Sequence, residues 1–193
     1  MNTNTKKQQS ERDSAVFLKW GNIIKIVIRE ANKTDAVSLF ACIQEVLANS
    51  PYLPRFPDEL QVKTIEQEEI WIEKQKEMGI LLVAVADGKI VGSLNLSREK
   101  WKRTRHVGEF GISVLPSYQN KGIGRKLMGE LLTWVSKKTD LRKIRLRVMA
   151  QNVGAIHLYK SFGFQEEGRL KEEISNMDGT YDDTIWMGLH LQL

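Results

Sequence analysis

Apolar and polar positions along this chain recur with two different periods. Residues 23–30, IIKIVIRE, are few and β-branched, which predicts a strand. Thr34 and Asp35 then offer N-cap and first-turn chemistry to AVSLFACIQEVLAN, where Val37, Phe40, Ala41, Gln44, Val46 and Leu47 predict the inner stripe of a helix. NSPYLPRFP holds three of the chain's four prolines and interrupts regular structure. DELQVKTIEQEEIWIEKQKEMG predicts a charged surface helix with Leu60, Ile65, Trp71 and Ile72 inward and Gly79 closing it. ILLVAVADGKIVGSLNLS folds back on itself at Asp87-Gly88, and HVGEFGISVLP is a further strand stopped by Pro116. Ile123, Leu127, Leu131, Trp134 and Val135 return at helical spacing over 122–138. RKIRLRVMA alternates Ile144, Leu146 and Val148 with Lys143, Arg145 and Arg147, a strand with one apolar face. NVGAIHLYKSF predicts a short helix ended by Gly163, and the remainder a hairpin about Asp178-Gly179.

The resulting order, β α α β β β α β α β β, predicts one α/β domain over residues 22–193. Its sheet is largely antiparallel, with one crossover through the helix at 122–138. Residues 1–21 contain little that can be buried and are expected to form a polar, mobile tail.

Composition narrows the function classes. The net charge of +5 is divided between the leader and Arg142, Lys143, Arg145 and Arg147, so it forms no single basic block and no nucleic-acid partner is expected. A modest positive balance does attract a polyanionic small molecule. The single Cys42 cannot form an internal disulfide, and no Cys/His set has metal-ligand spacing, so a cytoplasmic protein without a metal is expected. The longest apolar run, GILLVAVA, is far short of the ~18 residues that span a bilayer, and no membrane partner is expected.

Candidate chemistry concentrates in YQNKGIGRKLM, residues 118–128, where Gly122 and Gly124 stand ahead of a helix. The first amides of a helix lack internal partners and carry partial positive charge, so they attract phosphate. Glycines there let an anion approach, and Lys121 and Arg125 add formal charge. The Walker loop is excluded because no glycine is followed by Lys and Ser or Thr at its spacing, and the Rossmann fingerprint because position 127 is Leu. The remaining pattern, Gln119-Asn120-Lys121-Gly122-Ile123-Gly124, resembles the pyrophosphate loop of the GNAT superfamily of acetyl-CoA-dependent N-acyltransferases. NVGAIHLYKSFGF resembles that family's second signature, with Asn152 opening a helix, Tyr159 on it and a Gly163-Phe164 turn after it. The resemblance covers about residues 23–191, and the two motifs fall on the elements where the family has them.

The resemblance implies the GNAT fold. This is a mixed, mostly antiparallel sheet of six to seven strands flanked by four helices, splayed between strands four and five (107–116 and 142–150), with acetyl-CoA inserted in the splay as co-substrate. It implies that Ile112, Ser113 and Val114 offer backbone contacts, that Gln119, Asn120, Lys121, Gly122, Ile123, Gly124 and Arg125 hold the pyrophosphate, and that Asn152 binds near the acyl end. Tyr159 would protonate the leaving thiolate, although a tyrosine beside Ile156 and Phe162 also suits plain packing. The acceptor amine must lose a proton, at about 4.6 kcal/mol for an alkyl amine of pKa ~10.4 and about 1.4 kcal/mol for an α-amine near ~8 at pH 7. Glu109 is the candidate base and equally a surface strand glutamate, with His106 second. Tyr52, Arg55 and Phe56 in the proline-rich link are expected at the acceptor. Arg29 and Arg55 suit a carboxylate, while Glu172, Glu173, Asp182 and Asp183 suit a polyamine or basic peptide. The implied activity is acetyl transfer to a small-molecule amine. A protein N-terminal acetyltransferase and a non-catalytic acyl-CoA sensor stand as alternatives, and a homodimer is expected because dimers are common in the family.

Overall fold

The computed structural model of the chain describes residues 15–19, 22–54, 57–59, 64–138 and 140–191. The elements run β1 (Ala15–Lys19), β2 (Asn22–Glu30), α1 (Ala36–Asn49), α2 (Ile65–Met78), β3 (Gly79–Ala86), β4 (Lys89–Arg98), β5 (Val107–Val114), α3 (Ile123–Lys138), β6 (Lys143–Met149), α4 (Val153–Ser161), β7 (Gln165–Ser175) and β8 (Tyr181–His190). One eight-stranded sheet has the order β1-β2-β3-β4-β5-β6-β8-β7. Every neighbouring pair is antiparallel except β5 and β6, which α3 joins as a crossover. The seven strands from Asn22 onward and the four helices meet the expected architecture.

β1 departs from it. Residues 15–19, expected within a mobile tail, pair with β2 from Ala15↔Ile26 to Lys19↔Asn22. The run AVFLK is apolar enough to extend a sheet whose edge is otherwise open. Residues 1–14 lie outside the described residues.

The two faces of the sheet carry different residues. Leu82, Leu94 and Ile112 lie in register on one face with Leu96 and Phe110, and Ile144 and Leu146 continue it on β6. Most of these are fully buried, and α3 crosses them with Leu127, Met128 and Leu131 inward. The opposite face carries Leu81 and Val83 but also Ser93, Asn95, Ser97 and Glu109, and it meets α1 and α2. There Gln75 Oε1 on α2 accepts from Asn95 Nδ2 (3.2 Å) and Ser97 Oγ (2.9 Å), so a polar sheet face is matched by a polar helix face.

Two helices differ from expectation. On α1 the buried stripe is Leu39, Cys42 and Val46, with Val37 and Ala41 exposed. This i, i+3, i+7 face shares Val46 with the expected stripe and otherwise lies about one position from it, because packing against the sheet and α2 selects the face. Burial pushes the Cys42 thiol up to about 12. The α2 helix begins at Ile65 and not near Asp58, with Thr64 Oγ1 accepting the Gln67 N–H at 3.3 Å, while Leu60 lies outside the described residues.

α2 also buries Glu68, whose Oε1 has no hydrogen-bond partner among the described residues and whose carboxyl is pushed up to about 7 by desolvation. The folded protein therefore keeps a proton that the unfolded chain releases above its ordinary value of 4.5, so the contribution of Glu68 to stability is fullest below 4.5 and is lost as pH rises toward 7. Glu68→Gln, which cannot ionise, should be about 1–2 kcal/mol more stable than wild type at pH 8 and show little advantage at pH 5, after discounting for partial solvent access. Melting curves from pH 5 to 8 check this, and parallel profiles for the two proteins would refute it.

Candidate active site

The parallel pair β5–β6 holds for only three positions, Val107↔Lys143, Gly108↔Ile144 and Glu109↔Arg145. Beyond them β5 continues to Val114 paired with β4 alone, and β6 continues to Met149 paired with β8 alone. Residues 110–114 and 146–149 therefore face each other across a widening gap. Three bonds fix which backbone groups line it. Leu115 N–H donates to Val91 O (2.9 Å) and Val107 O accepts from Glu99 N–H (3.0 Å), both toward β4, whereas His106 O accepts from Arg142 N–H (2.8 Å) at the start of β6. Strand alternation then turns the amides of Phe110, Ile112 and Val114 into the gap. Ile112 and Val114 are placed as expected. Ser113 is not, because its backbone faces β4 and its Oγ lies 3.3 Å from Ser93 Oγ. Gln119 Nε2 donates to Val114 O at 3.1 Å, at the open end of the gap.

The turn after β5 leads into α3. Asn120 (φ 58°) and Gly122 (φ 74°) are left-handed, which glycine adopts without penalty. The Lys126 N–H donates to Gly122 O (3.1 Å), so the amides of Ile123, Gly124 and Arg125 precede the helical ladder and form its positive end. Lys121 Nζ is tethered to Ser117 O (2.6 Å) and lies 4.9 Å from the Tyr118 ring, while Arg125 bonds Ser161 Oγ (3.1 Å) and covers Phe162. Gly124 also meets a packing demand. A Cβ there would lie 3.0 Å from Leu158 Cδ2, so the missing side chain lets α3 approach α4.

Tyr159 projects from α4 to the narrow end of the gap. Its ring meets Phe110, the first residue past the paired segment, at 6.0 Å and 80°, and Phe164 at 6.1 Å. Burial pushes its phenol up, which keeps the hydroxyl protonated. Asn152 caps α4, its Oδ1 accepting from Ala155 N–H at 3.2 Å. Glu109 lies at the same depth as Phe110 but on the other sheet face. Its Oε2 accepts from Arg145 Nε (3.1 Å) and Nη2 (3.0 Å), and Arg145 also bonds Glu99 (2.7 Å) and stacks 4.8 Å above Trp186. His106 lies before Val107, at the far end of β5 from the gap.

Next to β6 a cleft of about 30 Å³ is lined by Tyr52, Pro54, Arg147, Val148, Met149 and Thr184. Tyr52, expected at the acceptor, borders this cleft. Arg29, expected to suit a substrate carboxylate, bonds the Asp35 carboxylate through both terminal nitrogens at 2.7 Å, holding Asp35 below the usual carboxylate range. Arg55 and Phe56 lie outside the described residues.

Residues 45–164 match the profile of the Acetyltransferase (GNAT) family. The chain belongs to that family. This GNAT chain is 32% identical over 167 residues to the L-amino acid N-acetyltransferase AaaT of Escherichia coli K12, covering 84% of this chain and 96% of the relative. It superimposes on an acetyltransferase of the GNAT family from Streptococcus pneumoniae with a TM-score of 0.81 and 32% identity, over 86% of this chain and 99% of that one. It also shares its fold with yncA of Salmonella typhimurium, solved with its cofactor acetyl-CoA, at a TM-score of 0.77 and 21% identity over 87% and 95% of the two chains.

Within the GNAT frame, sequence reasoning missed Phe110 at the apex of the gap and Arg147 and Thr184 in the cleft. The signal for Arg147 was present in the alternation of β6, whose polar face was assigned no partner. Lys143, Arg145 and Arg147 instead bond Glu167 (2.6 Å), Glu109 and Glu173 (3.2 Å).

Proposed function

We propose that this acetyltransferase moves the acetyl group of acetyl-CoA to the primary amine of a small molecule by direct attack within a ternary complex. The observation that carries this is the gap between β5 and β6, with bare strand amides along it, Tyr159 on one side of its apex and Glu109 on the other. Acetyl-CoA supplies a thioester carbonyl open to attack by an amine. Ile112 and Val114 offer N–H donors to a chain laid in the gap, one of them in position to polarise that carbonyl. Residues 120–125 offer amides and two tethered cations to a diphosphate. Tyr159, kept protonated by its surroundings, donates to the departing sulfur, and Asn152 lies at the start of the same helix. Glu109 keeps Oε1 clear of the Arg145 bonds and relays the amine's proton through water. Tyr52 borders the acceptor, and a cytoplasmic setting belongs to the same reading.

The test is release of free thiol from acetyl-CoA by the pure protein against a panel of amino acids, polyamines, aminoglycosides and peptide N-termini. Release with at least one small amine is expected. Release with peptides alone would favour a protein N-terminal acetyltransferase, and tight binding of acetyl-CoA without release would leave a sensor.

A further inference from the structure

Three cations line the polar face of β6, and their partners separate them. Lys143 is closed onto Glu167, and Arg145 onto Glu109 and Glu99 beneath the Trp186 ring. Arg147 is two residues further along, past the last paired position, and lines the cleft with Tyr52, Pro54 and Thr184. It makes one hydrogen bond, Nη1 to Glu173 Oε1 at 3.2 Å, lies 5.7 Å over the same Trp186 ring, and its side chain remains 42% exposed. Its Nε and Nη2 have no partner among the described residues. The acids on the neighbouring hairpin are in the opposite condition. Asp182 accepts from Gln151 and Asn176, and Asp183 from Lys171, Arg169 and the Glu172 N–H, which hold Asp183 down at about 2. Glu173 accepts from Arg147 and Thr184. A polycation would find Asp183 and Glu173 already ion-paired and Asp182 already hydrogen-bonded by two amides, whereas an anion finds a half-used guanidinium.

We infer that Arg147 is a specificity-determining residue that binds a carboxylate on the acceptor, so that the substrate class is the amino acid and not the polyamine; this rests on the transfer reading above. The spacing suits a short molecule. Arg147 stands two residues, about 6.5 Å, beyond Arg145 and its partner Glu109, so a molecule with amine and carboxylate a few bonds apart reaches both. A guanidinium offers two parallel N–H donors to a carboxylate, and Glu173 yields because it sits in an irregular stretch of β7 between Leu170 and Ile174.

The experiment compares an α-amino acid with its own carboxamide, which keeps the α-amine and loses the charge. Wild type should favour the acid in kcat/KM by about 10- to 100-fold, the strength of hydrogen bonds to a charged group. Arg147→Gln should erase the preference through a raised KM for the acid, with the KM for acetyl-CoA unmoved, and Arg147→Lys should restore part of it. Equal rates for acid and amide in wild type, preference for a polyamine, or an equal loss on both substrates in Arg147→Gln would overturn the inference while leaving acetyl transfer standing. The wild-type comparison decides even if the variants fold poorly. Absence of thiol release with every acceptor would instead sink the transfer reading and this one with it.

Discussion

Tyr159→Phe should lower kcat by about 100-fold while leaving acetyl-CoA affinity within about threefold, the range expected when a positioned proton donor is removed and its scaffold kept. The substitution preserves the ring that packs on Phe110 at 6.0 Å and on Phe164, so the fold and the apex of the gap should survive. Only the hydroxyl is lost. Because burial raises the phenol, the donor stays protonated across the working range, and the wild-type rate should rise with pH as the amine deprotonates without a Tyr159 limb near neutrality. Stopped-time thiol assays from pH 6 to 9, with calorimetry of acetyl-CoA binding, measure both parts. Full activity in the phenylalanine variant would remove Tyr159 from the chemistry and leave it a packing residue.

Gly79→Ala should be the most damaging small substitution in the chain. Gly79 passes directly from α2 into β3, and a Cβ there would lie 2.0 Å from the backbone oxygen of Leu96 on β4 and 3.0 Å from its carbonyl carbon. Neither strand has room to retreat, since Ile80, Leu82, Leu94 and Leu96 are all buried in the same core. A cost of about 3 kcal/mol or more follows, which for a domain of this size lowers Tm by about 6–12 °C. Gly129→Ala is the control. It lies in α3 with nothing within 4 Å of its added methyl and should stabilise by about 0.5–1 kcal/mol. A Gly79→Ala protein that melts with wild type would mean that β3 and β4 are less tightly apposed than described.

What could be read from the sequence depended on whether its cause was local. Asp87-Gly88 announced a hairpin because both residues must be left-handed in a two-residue turn, and their φ values are 48° and 78°. The order of elements and the turn before α3 followed from period and glycine placement. The ion pair of Arg29 with Asp35 was not legible, because Asp35 is reached through a capping turn that also bonds Asn32, a geometry that residue types alone do not announce. Glu109 illustrates the same limit over a longer range, since its bond to Arg145 spans a crossover of 36 residues. Ser113 was assigned to the gap along with its neighbours, but only the ladder shows that adjacent residues of one strand point their amides in opposite directions. The proline-rich link was expected at the acceptor, but that Arg147 of β6 meets it there depends on a contact between distant halves of the chain that no local pattern announces.

The three-rung seam between β5 and β6 has a mechanical meaning. Strands β1 to β5 form one antiparallel leaf and β6 to β8 another, and apart from α3 and shared packing little backbone stitching joins them. On the proposed reading, a ligand strung along the open edges would supply the missing rungs, so that cofactor loading and cohesion of the two leaves would become one event.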